Sequence, residues 1–350
     1  MRIAVVGAGS IGQMHAAHLM TTEGVTHVEL VGRDAARVAE HAEAVTERVG
    51  QEAAGVHLSI TTRLDDALEA ADGVVITTPG SAHPAMVAHA VRMGLPVFVE
   101  KPLALTAREY GDLLEGIEAA GADQKVMVGF HRRHSREFQT LKGLLDAGRA
   151  GSLRAVFSFD HDKSAADPEA LGGSGGIFAD MMAHDFDLVP WLVGEQASTV
   201  YAVGSVAAHE SYREHDQLDT ASAHLTFASG LSATISVMRG HAEGQDVRTV
   251  VHGTERTYSV GGADGVAISR IDGEGGIHVP ESTFEDYQDR FASAFVREMQ
   301  DFVAMIDGQG TNASTPSSGV PGVELLDAAQ RSLASGRPEA VRPLRELRGD

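Results

Sequence analysis

The run Ile3-Ala4-Val5-Val6, followed at once by Gly7-Ala8-Gly9-Ser10-Ile11-Gly12, constrains this chain more than any other feature. An apolar, β-rich run of this kind reads as a strand buried on both faces. Ser10–Met20 has helical spacing, so the glycines fall in a strand-to-helix turn. Three glycines so spaced permit a tight turn, close approach of the backbone to a pyrophosphate, and close packing of helix on strand. The amino end of the helix then meets the anion. A bare G-x-G-x-x-G is weak. Within a βαβ unit of about 30 residues it becomes a dinucleotide fingerprint, against the plainer alternative of a ligand-free turn.

The alternation continues. Val28–Val31, Leu58–Ile60, Val74–Thr77, Val97–Val99 and Val126–Gly129 read as strands, and Ala35–Val49, Leu64–Ala70, His83–Met93 and Ala107–Ala120 as helices. Apolar strands alternating with helices predict an α/β fold, a doubly wound parallel sheet of Rossmann type, over residues 1–125. Residues 126–350 differ. Leu153–Phe159, Thr199–Val203, Ala221–Phe227, Leu231–Met238 and Val247–His252 are alternating runs between Gly or Ser-Gly turns. They predict an α+β domain with a large, mostly antiparallel open sheet. Gly176–Leu192 reads as a helix behind the entry Gly172-Gly173-Ser174-Gly175-Gly176, and Gly261–Gly276 as an exposed hairpin. Tyr287–Ile306 is an amphipathic helix, Gln309–Gly322 a loop, and Val323–Ala334 a last helix before a polar tail.

Composition narrows the function classes. With 28 Lys and Arg against 49 Asp and Glu, the net charge is −21, spread along the chain and without a basic cluster, which argues against nucleic acid. The absence of cysteine excludes a thiolate nucleophile and any Cys-ligated metal, and suits a cytoplasmic protein. The start is too short an apolar run for a signal segment, and no run approaches 18 uninterrupted apolar residues, so no membrane partner is expected.

Three further places carry chemistry. At the end of the second strand, where NAD-binding sheets place an acid on the ribose, stands Gly32-Arg33-Asp34. With Gly32 at the acid's position, a 2′-phosphate fits and Arg33 pairs with it, favouring NADP. A register two residues on makes Asp34 the acid and favours NAD, while a solvated turn reads neither. Glu100-Lys101-Pro102 follows a strand at the sheet's carboxyl edge, where Lys101 could steady a developing alkoxide or be half of a loop ion pair. Asp180 and His184 lie four apart in a largely apolar helical segment, so both share one face. The acid would orient an imidazole able to accept an alcohol proton. The rivals are a satisfied core histidine and a zinc pair with Asp185 or Asp187, and no metal is expected.

In order and spacing, Gly7–Gly12, Thr77-Thr78-Pro79…His83, Glu100-Lys101-Pro102, Gly129-Phe130-His131-Arg132-Arg133 and Gly175-Gly176…Asp180…His184-Asp185-x-Asp187 together resemble the Gfo/Idh/MocA oxidoreductases, in pattern nearest to their inositol 2-dehydrogenase branch. The resemblance covers nearly the whole chain. It implies NAD(P)-dependent oxidation of a secondary hydroxyl on a sugar or cyclitol, and a homodimer or homotetramer built through the C-terminal sheet. It also implies a catalytic set of Lys101, Asp180 and His184, with His184 as the base. Gly7, Gly9, Ser10, Ile11, Gly12, Gly32, Arg33, Asp34, Thr78, Pro79, His83, Glu100 and Lys101 would hold the cofactor, NADP ahead of NAD. Lys101, His131, Arg132, His161, Lys163, Asp180, His184 and Gln245 would meet the polyol. Two departures, Gln245 in place of a tyrosine and the segment Asp160-His161-Asp162-Lys163, point away from myo-inositol itself but keep the polyhydroxylated class. Two other readings stay open: a glycosidase that recycles its nicotinamide, and a sensing protein that keeps the fold without the chemistry.

Overall fold

A computed structural model describes residues 1–50, 55–242, 244–261, 270–271, 277–278, 284 and 286–347. The first part of the chain runs β1 (Arg2–Val6), α1 (Ser10–Met20), β2 (His27–Val31), α2 (Ala35–Val49), β3 (His57–Thr61), α3 (Leu64–Glu69), β4 (Gly73–Ile76), α4 (His83–Arg92), β5 (Val97–Glu100), α5 (Ala107–Ala119) and β6 (Val126–Gly129). The strands form one parallel sheet in the order β3-β2-β1-β4-β5-β6. The order reverses between β1 and β4, and in doubly wound sheets the crevice at such a switch point takes the ligand.

Next come α6 (Arg136–Asp146), β7 (Leu153–Asp162), α7 (Ala183–Val193), β8 (Ala197–Ser205), α8 (Ser211–Glu214), β9 (Thr220–Phe227), β10 (Ser232–Arg239), β11 (Asp246–Gly253) and β12 (Thr257–Val260). A two-strand ladder, β13 (Arg270–Ile271) with β14 (Ile277–His278), precedes α9 (Tyr287–Arg290), α10 (Ala292–Ile306), α11 (Pro316–Ser335), β15 (Glu339–Ala340) and α12 (Leu344–Leu347). The second sheet has the order β12-β11-β7-β10-β9-β8-β15 and is antiparallel except between β7 and β10. Its strands alternate: β10 buries every second residue. On the other face Phe157, Tyr201 and Val203 are exposed.

The chain divides into two compact units: Met1–His134 with Ser293–Val320 and Leu347–Asp350, and Ser135–Ala292 with Pro321–Glu346. The sequence expectation divided the chain at 125/126. In the structure β6 pairs with β5 and belongs to the first unit, and Met299, Phe302 and Val303 of α10 complete that unit's core against Val28, Leu30, Val75 and Phe98. Two local expectations change, and a third is not tested. The loop expected over Gln309–Gly322 ends early, because Pro316 opens α11, as proline may at a helix's first position. The polar tail contributes β15, an edge strand on β8, and the turn α12. The Gly261–Gly276 hairpin lies mostly outside the described residues.

Candidate active site

In the first unit the site begins where β1 ends. Gly7 takes φ +99°, a value a side chain disfavours, and a Cβ there would stand 2.8 Å from the backbone of Thr77 and Thr78. At Gly12 a Cβ would overlap the carbonyl oxygen of Gly7, so the helix can sit this close to the strand only without one. The Gly7 N–H donates to Val31 O at 3.0 Å, and the Thr77 hydroxyl donates to Gly7 O, which pins the turn between neighbouring strands. Gly9 differs: among the described residues nothing lies within 4 Å of the place its Cβ would occupy, and as N-cap of α1 it offers no side chain to the helix's first N–H groups. Open space in front of uncapped amides suits a pyrophosphate. Ser10 and Ile11 form the first turn of α1 behind it. The Thr78 hydroxyl, after β4, is buried without a hydrogen-bond partner among the described residues.

Gly32 is the first residue past β2, and a Cβ there would overlap Val38. Any side chain at that position would require Val38 to move. Asp34 accepts the N–H groups of Ala36 (2.9 Å) and Arg37 (3.1 Å) as the N-cap of α2, while Arg33 is exposed. The carboxyl edge of β5 carries Glu100 and Lys101. Glu100 turns inward, its Oε1 2.7 Å from His15 Nε2 and its Oε2 accepting the Lys101 N–H at 3.1 Å. His83 is likewise committed, with one ring nitrogen 2.7 Å from Pro102 O and the other 2.7 Å from Thr78 O, tying the loop that holds Pro79 to the one after Lys101. His131 and Arg132 are buried in a short helical turn after β6. Burial, with Arg132 and Lys101 close by, holds the His131 imidazole well below its ordinary range. Arg133, by contrast, bonds Ala313 O, Ser318 Oγ and Ser318 O, which is the work of a strut.

In the second unit, Gly175 and Gly176 have φ of 78° and 80° and lead into a π-helical turn, Phe178–Met182, which α7 continues. Such turns recur at functional sites. The helix expected from spacing is thus wider in its first turn, and Asp180 sits in that turn. Asp180 accepts a hydrogen bond from Arg239 Nη2 at 2.7 Å, and the Arg239 side chain is only 3% exposed. Asp185 turns the other way, accepting from Ser158 Oγ at 2.7 Å, and like Asp187 is buried.

Register collects the remaining polar groups. Because β10 runs parallel to β7, Arg239 pairs with Asp162 and Met238 with His161, while antiparallel β11 sets Asp246 opposite His161. Gln245 donates to Asp162 Oδ1 at 2.8 Å, and its amide oxygen accepts the Lys163 N–H at 3.5 Å. His161 stands 3.1 Å from Ser236 Oγ, and burial lowers its pKa. Burial first and Asp160 second push the Asp162 carboxyl up to about 6, despite Gln245 and Arg239. Lys163, His161, Asp162 and Gln245 thus gather at one end of the sheet. Arg239, which sequence reasoning did not single out, ties that end to Asp180.

A Rossmann sheet with an open, uncapped glycine turn, followed by a unit that presents an acid, an imidazole and a polar sheet end, defines a dinucleotide-dependent oxidoreductase. Residues 1–130 match the oxidoreductase family with an NAD-binding Rossmann fold, and residues 138–259 match the GFO/IDH/MocA C-terminal domain. The chain belongs to the Gfo/Idh/MocA oxidoreductases, and acts on CH–OH donors with NAD(P). An inositol 2-dehydrogenase of Rhizobium meliloti is 33% identical over 97% of this chain and 99% of its own. A scyllo-inositol 2-dehydrogenase (NAD(+)) of Bacillus subtilis is 29% identical over 97% and 95%. Among solved structures, a putative myo-inositol dehydrogenase from Sinorhizobium meliloti superposes with a TM-score of 0.83 at 30% identity, covering 98% of this chain and 100% of that one. The scyllo-inositol dehydrogenase of Lactobacillus casei, solved with NAD(H) and scyllo-inositol, gives 0.80 at 25%, over 97% and 99%.

Proposed function

We propose that this protein oxidises a secondary hydroxyl of a cyclitol or closely related sugar to the ketone, with Lys101, Asp180 and His184 as its catalytic residues. The observation that carries the reading is the π turn and the helix behind it, which hold Asp180 and His184 in successive turns with Asp180 tied to a buried arginine. The bound nicotinamide supplies the hydride acceptor, at C4. His184 would take the hydroxyl proton as the hydride leaves the same carbon, leaving a ketone and one proton on the imidazole. Asp180, kept in place by Arg239, orients His184 and binds a neighbouring hydroxyl. Lys101, at the edge of β5, steadies the negative charge that develops on the reacting oxygen. His131, Arg132, His161, Lys163 and Gln245 are the residues we assign to the remaining hydroxyls. The inositol substrates named for the relatives favour a cyclitol, while Gln245 and the carboxylates of β7 favour one other than myo-inositol.

Gly7, Gly9, Ser10, Ile11, Gly12, Thr78 and Pro79 hold the cofactor. The bare Gly32 and exposed Arg33 support NADP, and relatives solved with NAD(H) support NAD. Arg33 decides between them in our reading: Arg33→Ala weakens NADP at least tenfold more than NAD, and equal losses would end the NADP preference. The exposed Phe157, Tyr201 and Val203 support pairing of second sheets between copies as a homodimer or homotetramer. The deciding experiment follows nicotinamide absorbance with a panel of cyclitols and sugars, NAD and NADP side by side. Reduction with one or a few polyols is expected. Silence with cofactor bound would replace this reading with cofactor-recycling glycoside cleavage or ligand sensing.

A further inference from the structure

One buried cluster in the first unit is left unexplained by the proposed reaction. α10 presents Phe295, Glu298 and Phe302 at spacings of three and four, so they share one face. The face is aromatic: Phe302 meets Phe98 edge-on at 6.0 Å, and Phe295 lies 6.0 Å from the ring of His15. Glu298 sits in this stripe, fully buried, and neither carboxyl oxygen has a hydrogen-bond partner among the described residues. A carboxylate left so, without water or a partner, is strongly unfavourable. What stands beside it is another carboxyl: donor atoms of His15, Glu100 and Glu298 all lie within 4.8 Å of one another.

A divalent cation is the first occupant to consider. Two ligand atoms on one metal at about 2.1 Å stand about 3.0–3.4 Å apart. His15 Nε2 and Glu100 Oε1 are 2.7 Å apart, which is a hydrogen bond. Glu100 is also spoken for on its other oxygen by the Lys101 N–H. Its inward turn is built in, since Gly129 is its neighbour in β6, and a Cβ there would press on Glu100 Oε2 and Phe98 at 3.1 Å.

We propose that Glu298 stays a neutral carboxylic acid and, with His15, forms a positioning set that locks Glu100 and through it the backbone of Lys101. The claim about Lys101 rests on the catalytic reading above; the proton on Glu298 does not. The charged groups around Glu298 fit. Glu100 faces it from β5 and Asp301 lies on its own helix, and after burial these two push its pKa well above the carboxylate range. Asp301 is engaged by His134, 2.6 Å away in the turn after β6, and His15 faces from α1. The single proton then separates two carboxyls that would otherwise repel, as in other close carboxyl pairs.

The test uses the full-length enzyme. Infrared difference spectra at neutral pH are expected to show a protonated-carboxyl band that Glu298→Gln abolishes. Wild-type turnover is expected to decline at alkaline pH as Glu298 ionises, whereas Glu298→Gln, which keeps a neutral donor, should retain turnover and lack that decline. Glu298→Leu, same size without a donor, should lower kcat roughly tenfold to a hundredfold with cofactor KM little changed, as misplacement of a catalytic group does. Wild-type kcat in Glu298→Leu would overturn the positioning role. No band in wild type, or one metal ion per chain by elemental analysis, would overturn the neutral acid. If Lys101→Ala turns over normally while the band persists, the catalytic reading of Lys101 fails and the proton stands.

Discussion

The glycine turn of the first unit and the sheet end of the second do their work by opposite means. Around Gly7–Gly12 the groups proposed to hold the cofactor are main-chain amides, and the side chains that matter are those that are missing. Around Asp180 they are charged side chains, Arg239, Asp162 and Asp160 among them, packed at the end of a sheet. A site made of backbone is set by sterics and carries no titratable group of its own. A site made of buried charges is tuned by its neighbours, and therefore by pH.

The largest expected effect is on the chemistry of the second region. His184→Ala should lower turnover by roughly 10²–10⁴ while leaving cofactor binding nearly intact, measured by steady-state kinetics and cofactor titration. Loss of cofactor binding instead would blur the division. The glycine turn is sharpened by a pair. Gly12→Ala should cost roughly 1–3 kcal/mol in denaturant unfolding, because its methyl overlaps Gly7 O, whereas Gly9→Ala should leave apo stability unchanged and weaken cofactor binding. Equal stabilities would remove the steric account. Arg239→Met should lower turnover by roughly tenfold as Asp180 loses its anchor, with stability falling by roughly 1–3 kcal/mol. An unchanged kcat would make that ion pair only structural.

The smallest effect is a pH dependence. The Asp162 pKa is raised in the folded protein to about 6, so its contribution is fully present below the ordinary carboxylate range and is lost as pH rises toward 6. Asp162→Asn lacks that loss. Its stability relative to wild type should therefore grow between pH 4 and 7, by on the order of 1–3 kcal/mol, in unfolding curves taken across that range. A flat difference would sink the assignment to Asp162.

What was legible in the sequence follows the same contrast. The glycine turn, β1 to β6 and the alternation of the second sheet depend on neighbours in the chain, and local spacing shows them. Arg239 and Asp180 are 59 positions apart and meet only because β10 runs parallel to β7 in an otherwise antiparallel sheet, which no local pattern announces. The π turn hides as well, since spacing of four is near one turn in either helix type. Glu298 was invisible for another reason: one glutamate in an amphipathic helix reads as solvated until Phe98 and His15 are placed against it. Gln309–Gly322 misled because Pro, Ser and Gly are common to loops and to helix starts.

The first unit is not continuous in the chain. Phe302 and Val303, which close its core, are made after the whole of β7 to β12. During synthesis, the strands from β1 to β6 leave the ribosome with one side of Phe98 and Val28 uncovered, and stay so for about half the chain's length. Domains usually fold as they emerge. This one cannot finish before its neighbour has been made, so cofactor-binding fragments without the second unit should not accumulate, and a truncation after His134 should be aggregation-prone.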